Sequence, residues 1–137
     1  MIKLFLISLL ITTMYADDVK LASSIFNTIV SSITHKKNAA VYLYYDIESV
    51  SRYPDKLQVV KDCSIADVVL LSSIKDIPKE CESEILFGTR YSHLKNKNVI
   101  GAFFWQKGRP NILFYRDRLA KHHIKLDKSF DKYIENE

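Results

Sequence analysis

The chemistry-bearing residues of this chain cluster where apolar runs end. Ser72 and Ser73 close the run from Val68 to Leu71, Thr89 and Arg90 follow the run from Ile85 to Gly88, and Asp46 follows the run from Ala40 to Tyr45. Ligands of open α/β sheets sit beyond the carboxyl ends of the strands. Asp46, Ser72, Ser73, Thr89 and Arg90, with Tyr91 and His93 next door, therefore form a candidate ligand rim. Arg90 at that place suits a carboxylate or phosphate held by two parallel hydrogen bonds. The alternative is a set of ordinary loop residues. No Gly-x-Ser-x-Gly elbow and no glycine-rich phosphate loop occur, so neither serine reads as a nucleophile and no nucleotide enzyme is expected.

Four histidines raise the question of a metal. His122 and His123 are adjacent and would diverge on a helix, while His35 and His93 stand alone. There is no His-Glu-x-x-His and no Cys-x-x-Cys. Surface histidines, no metal and no cofactor are the expectation. A second candidate surface is aromatic. Phe103, Phe104, Trp105, Phe114 and Tyr115 fall in two neighbouring runs, and Trp105 with Arg109 and Arg116 has the composition of a protein-contact patch. Core packing with one exposed edge is the alternative.

These residues need elements to position them. From Asp18 to Thr34, Ala22, Ile25, Phe26, Ile29, Val30 and Ile33 recur at the spacing of one buried helical stripe. Asp17 or Asp18 suits the start of that helix, and Lys36 and Lys37 suit its negative end. Ala40 to Tyr45 reads as a strand, followed by a short helix ending before Pro54 and a second strand over Leu57 to Val60. Asp67 to Ser73 holds four consecutive apolar residues, the mark of a strand buried on both faces. Ile85 to Thr89 is a further strand. Val99 to Trp105, a turn over Gln106 to Arg109, and Asn111 to Tyr115 form a hairpin. Helical pieces are expected over Asp117 to His122 and from Asp127, with Phe130, Tyr133 and Ile134 on one side. The sum is a small single α/β domain with a mixed sheet, an N-terminal amphipathic helix, a C-terminal β-hairpin and terminal helices.

The first residues bear on location. Lys3, the apolar run Leu4 to Ile11, Ala16, and then Asp17-Asp18 follow the order of a secretory signal peptide cut after Ala16. The run is well short of the roughly twenty residues of a spanning helix, so 17–137 would be an exported domain, periplasmic or secreted, with no membrane span. An uncleaved anchor or a buried first strand is the alternative. In an exported protein Cys63 and Cys81 are expected to form a disulfide, with two separate buried thiols as the alternative. If their following strands are parallel neighbours, both cysteines lie at one end of the sheet. The chain is 47% apolar and carries a formal charge of +4. Its basic residues alternate with acidic ones, as in Arg116-Asp117-Arg118, which argues against nucleic acid.

The stretch from Val99 to Ile134 resembles the C-terminal part of the YfiR-like family of periplasmic proteins. The similar features are a hydrophobic strand with an early glycine (Ile100-Gly101-Ala102-Phe103), a polar glycine turn (Gln106-Lys107-Gly108), a strand leading into a helix start (Ile112 to Asp117) and a final helix with a hydrophobic face. The approach from Ser64 to Ser72 is similar too. Thr34-His35-Lys36-Lys37-Asn38 stands where that family usually has an aromatic-Trp-Pro motif, and no functional residue of the family transfers to a numbered position. The resemblance implies a non-enzymatic regulator that binds the periplasmic region of a membrane-bound sensor or diguanylate cyclase and restrains cyclic-di-GMP synthesis. A periplasmic small-ligand-binding protein using the strand-end rim is the alternative function. A secreted hydrolase is a third, and would need a nucleophile and a base brought together in space.

Overall fold

The structure is a computed structural model. It describes the backbone from Ile2 to Glu137 and side chains from Asp17 onward, so the expected leader over 1–16 lies outside the described residues as far as its side chains are concerned. Helix α1 spans Ile2–Thr34. Its stripe of Ala22, Phe26, Ile29, Val30 and Ile33 is buried as the spacing predicts. Two end expectations are corrected. Asp17 and Asp18 lie inside the helix, because no glycine or proline precedes them to stop it. At the other end His35 turns the chain with φ 55°, and Lys36 pairs with Asp67 at 2.7 Å instead of serving the helix terminus.

Seven strands follow: β1 (Ala40–Tyr44), β2 (Gln58–Val60), β3 (Val68–Leu71), β4 (Leu86–Gly88), β5 (Val99–Gln106), β6 (Arg109–Tyr115) and β7 (Ile134–Glu135). They form one mixed sheet in the order β2-β1-β3-β4-β5-β6-β7. The first five are parallel, β5 and β6 make the antiparallel hairpin, and β7 runs parallel to β6. Short helices join them: α2 (Glu48–Ser51), α3 (Lys79–Glu82) and α4 (Arg116–Lys121). The expected last helix is a 3₁₀ segment, Lys128–Tyr133, and Asp127 makes no side-chain cap there.

The order β2-β1-β3-β4-β5 reverses direction between β1 and β3. Right-handed crossovers must then place the connections before and after the reversal on opposite faces of the sheet. They do: Val50 of α2 joins the cluster under α1, whereas Cys63, Cys81 and Leu94 lie in the cluster on the far face. β3 is buried along its whole length, Val68 and Leu70 toward α1 and Val69 and Leu71 away from it.

Two local devices keep this packing in phase. Leu86 pairs with Val99 but Phe87 pairs with Gly101, so Ile100 is an extra residue in β5. The bulge sets both Ile100 and Phe103 toward α1, where Phe103 meets the Phe26 ring edge-on at 5.0 Å. A Cβ on Gly101 would stand 2.5 Å from the Leu113 carbonyl oxygen and 2.7 Å from the Phe114 ring, so only glycine lets β6 lie that close. The hairpin closes through Lys107 (φ 52°) and Gly108 (φ 73°), the two left-handed residues of a turn that matches strand twist.

The far face has thin cover, and covalent and ionic ties reinforce it. Cys63, in the 3₁₀ turn before β3, is bonded to Cys81 in α3, just before β4, with Cα atoms 5.4 Å apart. Both are buried. Arg118 of α4, 3% exposed, donates from Nη1 to the carbonyls of Leu94 and Val99, each at 2.8 Å. Its guanidinium lies 4.5 Å over the Tyr115 ring and pairs with Glu137, which Lys97 also contacts. Arg118 and Lys97 together hold the Glu137 carboxyl down at about 2.

Replacing both cysteines by alanine is expected to lower unfolding free energy by about 3 kcal/mol, since the loop they close is of moderate length. Urea melts of the pure protein check this, and an unchanged midpoint would refute a stabilising bridge. Arg118→Met should cost roughly 3 kcal/mol, because it leaves the buried Leu94 and Val99 carbonyls without their donor. The pH response adds a signature. Glu137 titrates near 2 when folded against 4.5 ordinarily, so its contribution is complete above 4.5 and fades as pH falls toward 2. The Met variant should lose the larger, Arg118 share of that acid dependence and keep the share that Lys97 supplies.

Candidate functional site

The parallel strands β1, β3, β4 and β5 all end at the same edge of the sheet, so the predicted rim residues do share one end of the molecule. Their side chains are largely occupied with holding that edge. Ser72 donates from its hydroxyl to the Asp46 carbonyl at 2.8 Å and from its amide to the Tyr44 carbonyl at 3.0 Å, tying β3 to β1. Ser73 Oγ accepts from the Lys75 amide at 3.1 Å. Thr89 donates from its hydroxyl to the Leu71 carbonyl at 2.7 Å, tying β4 to β3. The Tyr44 hydroxyl donates into the loop after β3, with the Lys75 and Asp76 carbonyls both in reach. At the point where the strand order reverses, the strand tips are thus laced together by their own polar groups.

His93 corrects the expectation of surface histidines. It is 4% exposed and packs on Gly88, where a Cβ would stand 2.7 Å from the histidine Cβ. Its Nδ1 accepts from the Thr89 amide at 3.0 Å, which assigns the ring proton to Nε2. Burial, followed by the charges of Arg90 and Lys95, pushes its pKa below the ordinary value. This contact stops β4 at Gly88: the chain leaves the sheet at Thr89 and enters the 3₁₀ turn Tyr91–Lys95. The sequence carried one signal for it, a glycine ending an apolar run five residues before the histidine.

Arg90 and Trp105 come together. A cleft of about 430 Å³ lies at the ends of β4 and β5, lined by Thr89, Arg90, Tyr91, Phe104, Trp105 and Gln106. Arg90 and Tyr91 are exposed, Tyr91 meets Phe104 edge-on at 5.6 Å, and Trp105 is 44% exposed beside Phe103. The candidate ligand rim and the candidate aromatic patch are therefore one surface at this point. Asp46 and Ser72 do not line the cleft. Of the two arginines expected beside Trp105, Arg109 stands at the hairpin turn opposite Gln106. Arg116 stands past the other end of β6, roughly 23 Å along the strand, where its Nε donates to Asn136.

The other histidines do not meet. His35 Nε2 lies 2.7 Å from the Lys125 carbonyl, and His122 and His123 follow the end of α4. Among the described residues no group of three or more His, Cys, Asp or Glu side chains is placed to hold a metal ion. No described helix is long and apolar enough to cross a membrane.

Lowering pH from about 7.5 to about 5 should destabilise the protein through His93. Its folded pKa lies below 6.5, so the unfolded chain takes up a proton first as pH falls, and stability is fullest above 6.5. His93→Asn keeps an acceptor for Thr89 and should flatten the slope in paired urea melts; an unchanged slope would remove the assignment. Compared with known proteins, the chain matches no family model, no curated protein and no solved structure.

Proposed function

We propose that this chain is an exported regulatory protein that acts by binding another protein, without catalysis of its own. The observation that carries the reading is the surface at the ends of β4 and β5. There a half-exposed Trp105, an exposed Tyr91 and an exposed Arg90 with no ion-pair partner among the described residues converge, the side-chain types that dominate binding energy at interfaces. The reading of the chain as non-enzymatic is supported by how the rim hydroxyls are spent. Ser72 and Thr89 donate to backbone carbonyls, and His93 is buried as an acceptor from a backbone amide.

Export is supported by the leader-like order of the first sixteen residues and by the buried Cys63–Cys81 bond, a bond type that persists in oxidising compartments. The YfiR-like resemblance supplies the partner: the periplasmic region of a membrane-bound sensor of the diguanylate cyclase type, whose output this protein would restrain. A second reading rests on the cleft itself. Its volume falls in the range of small-molecule sites, and a small anion with an aromatic body would fit Arg90 and Trp105.

Binding of the purified protein to the periplasmic region of a membrane sensor encoded beside it tests the first reading. Trp105→Ala should weaken the complex by about 2 kcal/mol, roughly thirtyfold, with the melting temperature nearly unchanged. Arg116→Ala should leave affinity intact. Equal affinities for the wild type and the Trp105 variant would refute this surface. Stabilisation by a small anion in a thermal-shift screen, lost in Arg90→Ala, would favour the second reading instead.

A further inference from the structure

We propose that the cleft beside Trp105 takes an extended, acidic segment of the partner as an added β-strand. The inference deepens the docking role proposed above and rests on it. β5 runs from Val99 to Gln106, but β4 accompanies it only to Ala102, opposite Gly88. From Phe103 onward β5 pairs only with β6. That leaves a free strand edge of four residues, roughly 13 Å long, inside an otherwise paired sheet.

The hydrogen-bond phase of the hairpin aims polar groups into this gap. A two-residue turn makes Gln106 and Arg109 a hydrogen-bonded pair, and the pairs then alternate along the hairpin. Trp105, opposite Pro110, is in a non-hydrogen-bonded pair, so its amide N–H and carbonyl point away from β6 and into the cleft. Side chains flank the gap on both faces of the sheet. Phe104 and Tyr91 lie on one face, and Trp105 beside Phe103 on the other. A strand entering there would set its alternate residues against an aromatic ring on each side.

The other open edges are blunted in ways this one is not. β2 and β7 have three and two residues. β6 is free on its outer side until Phe114, but Pro110, in the non-hydrogen-bonded pair whose polar groups face that side, has no amide to give. The β5 gap has no proline and no carboxylate. Its one charge is Arg90, which has no acidic partner among the described residues, and Lys107 and Arg109 add positive charge at the hairpin tip. Charge complementarity therefore selects an acidic segment.

The test uses the full chain and a fluorescein-labelled hexapeptide of alternating valine and glutamate. Anisotropy should show saturable binding, at least about tenfold tighter than for the valine–lysine counterpart. Arg90→Glu should reverse that preference. The acidic peptide methylated on every amide nitrogen should not bind, since strand addition needs its N–H groups. Equal binding of the methylated peptide, equal binding of the acidic and basic peptides, or no binding up to about 1 mM would each overturn the proposal. So would self-association of the chain through this edge that displaces the peptide. If Trp105→Ala still weakens the sensor complex while the peptide arms fail, the docking role stands and strand addition falls.

Discussion

Complete burial of β3 is the constraint from which the rest of the architecture follows. Val68, Val69, Leu70 and Leu71 are all at 0% exposure, so both faces of the sheet centre must be roofed. One face has an ample roof in α1, whose stripe from Ala22 to Ile33 lies over Val68 and Leu70. The connections on the other face are a three-residue 3₁₀ turn, a four-residue helix and a five-residue 3₁₀ turn. Segments that short bring few apolar side chains of their own. The Cys63–Cys81 bond joins two of them over Val69 and Leu71, and Arg118 ties the third to α4 and to Glu137. A parallel sheet usually has full helices for this purpose; here cross-links stand in for apolar area.

The same economy shapes the carboxyl ends of the strands. Short connections leave short loops, and short loops need their backbone groups satisfied locally. Ser72, Ser73, Thr89, Tyr44 and His93 all do so, each through a hydrogen bond to main chain. His93 has a further effect, because its seat on Gly88 ends β4 while β5 and β6 run on. The hairpin overhang is thus the geometric remainder of a strand stopped early. Trp105 is half exposed because β4 is absent beside it, not because the core lacked room.

Elements whose pattern is local were legible in the sequence. The buried stripe of α1, the run at β3, the hairpin with its glycine turn and the pairing of Cys63 with Cys81 all follow from spacing or from strand order. What escaped depended on partners distant in the chain. Arg118 reads as one member of a charged surface trio, Arg116-Asp117-Arg118, yet it is buried by carbonyls of Leu94 and Val99 that no local pattern announces. Arg116 follows the hairpin directly in the chain, but strand rise along β6 carries it to the end opposite Trp105. Asp17 and Asp18 have the residue type of a cap, yet α1 runs through them from Ile2, since no helix-breaking residue precedes them.

For the rim, residue type proved a weaker guide than residue occupancy. Asp46, Ser72, Ser73, Thr89 and Arg90 are all polar, and all five stand at or just past strand ends. The hydroxyls of Ser72 and Thr89 are already donated to carbonyls, and loosening either would unpair strand tips on which the edge depends. Arg90 has no such duty, and the exposed part of Trp105 contributes little to the core. Binding energy taken from these two groups is therefore not taken from stability. A surface whose available groups are a guanidinium, aromatic rings and one strand edge has the groups that the proposed docking of an extended chain would use. That division of labour, the Ser72 and Thr89 hydroxyls tied into the fold and Arg90 with Trp105 left exposed, is the physical basis of the proposed docking role at this end of the sheet.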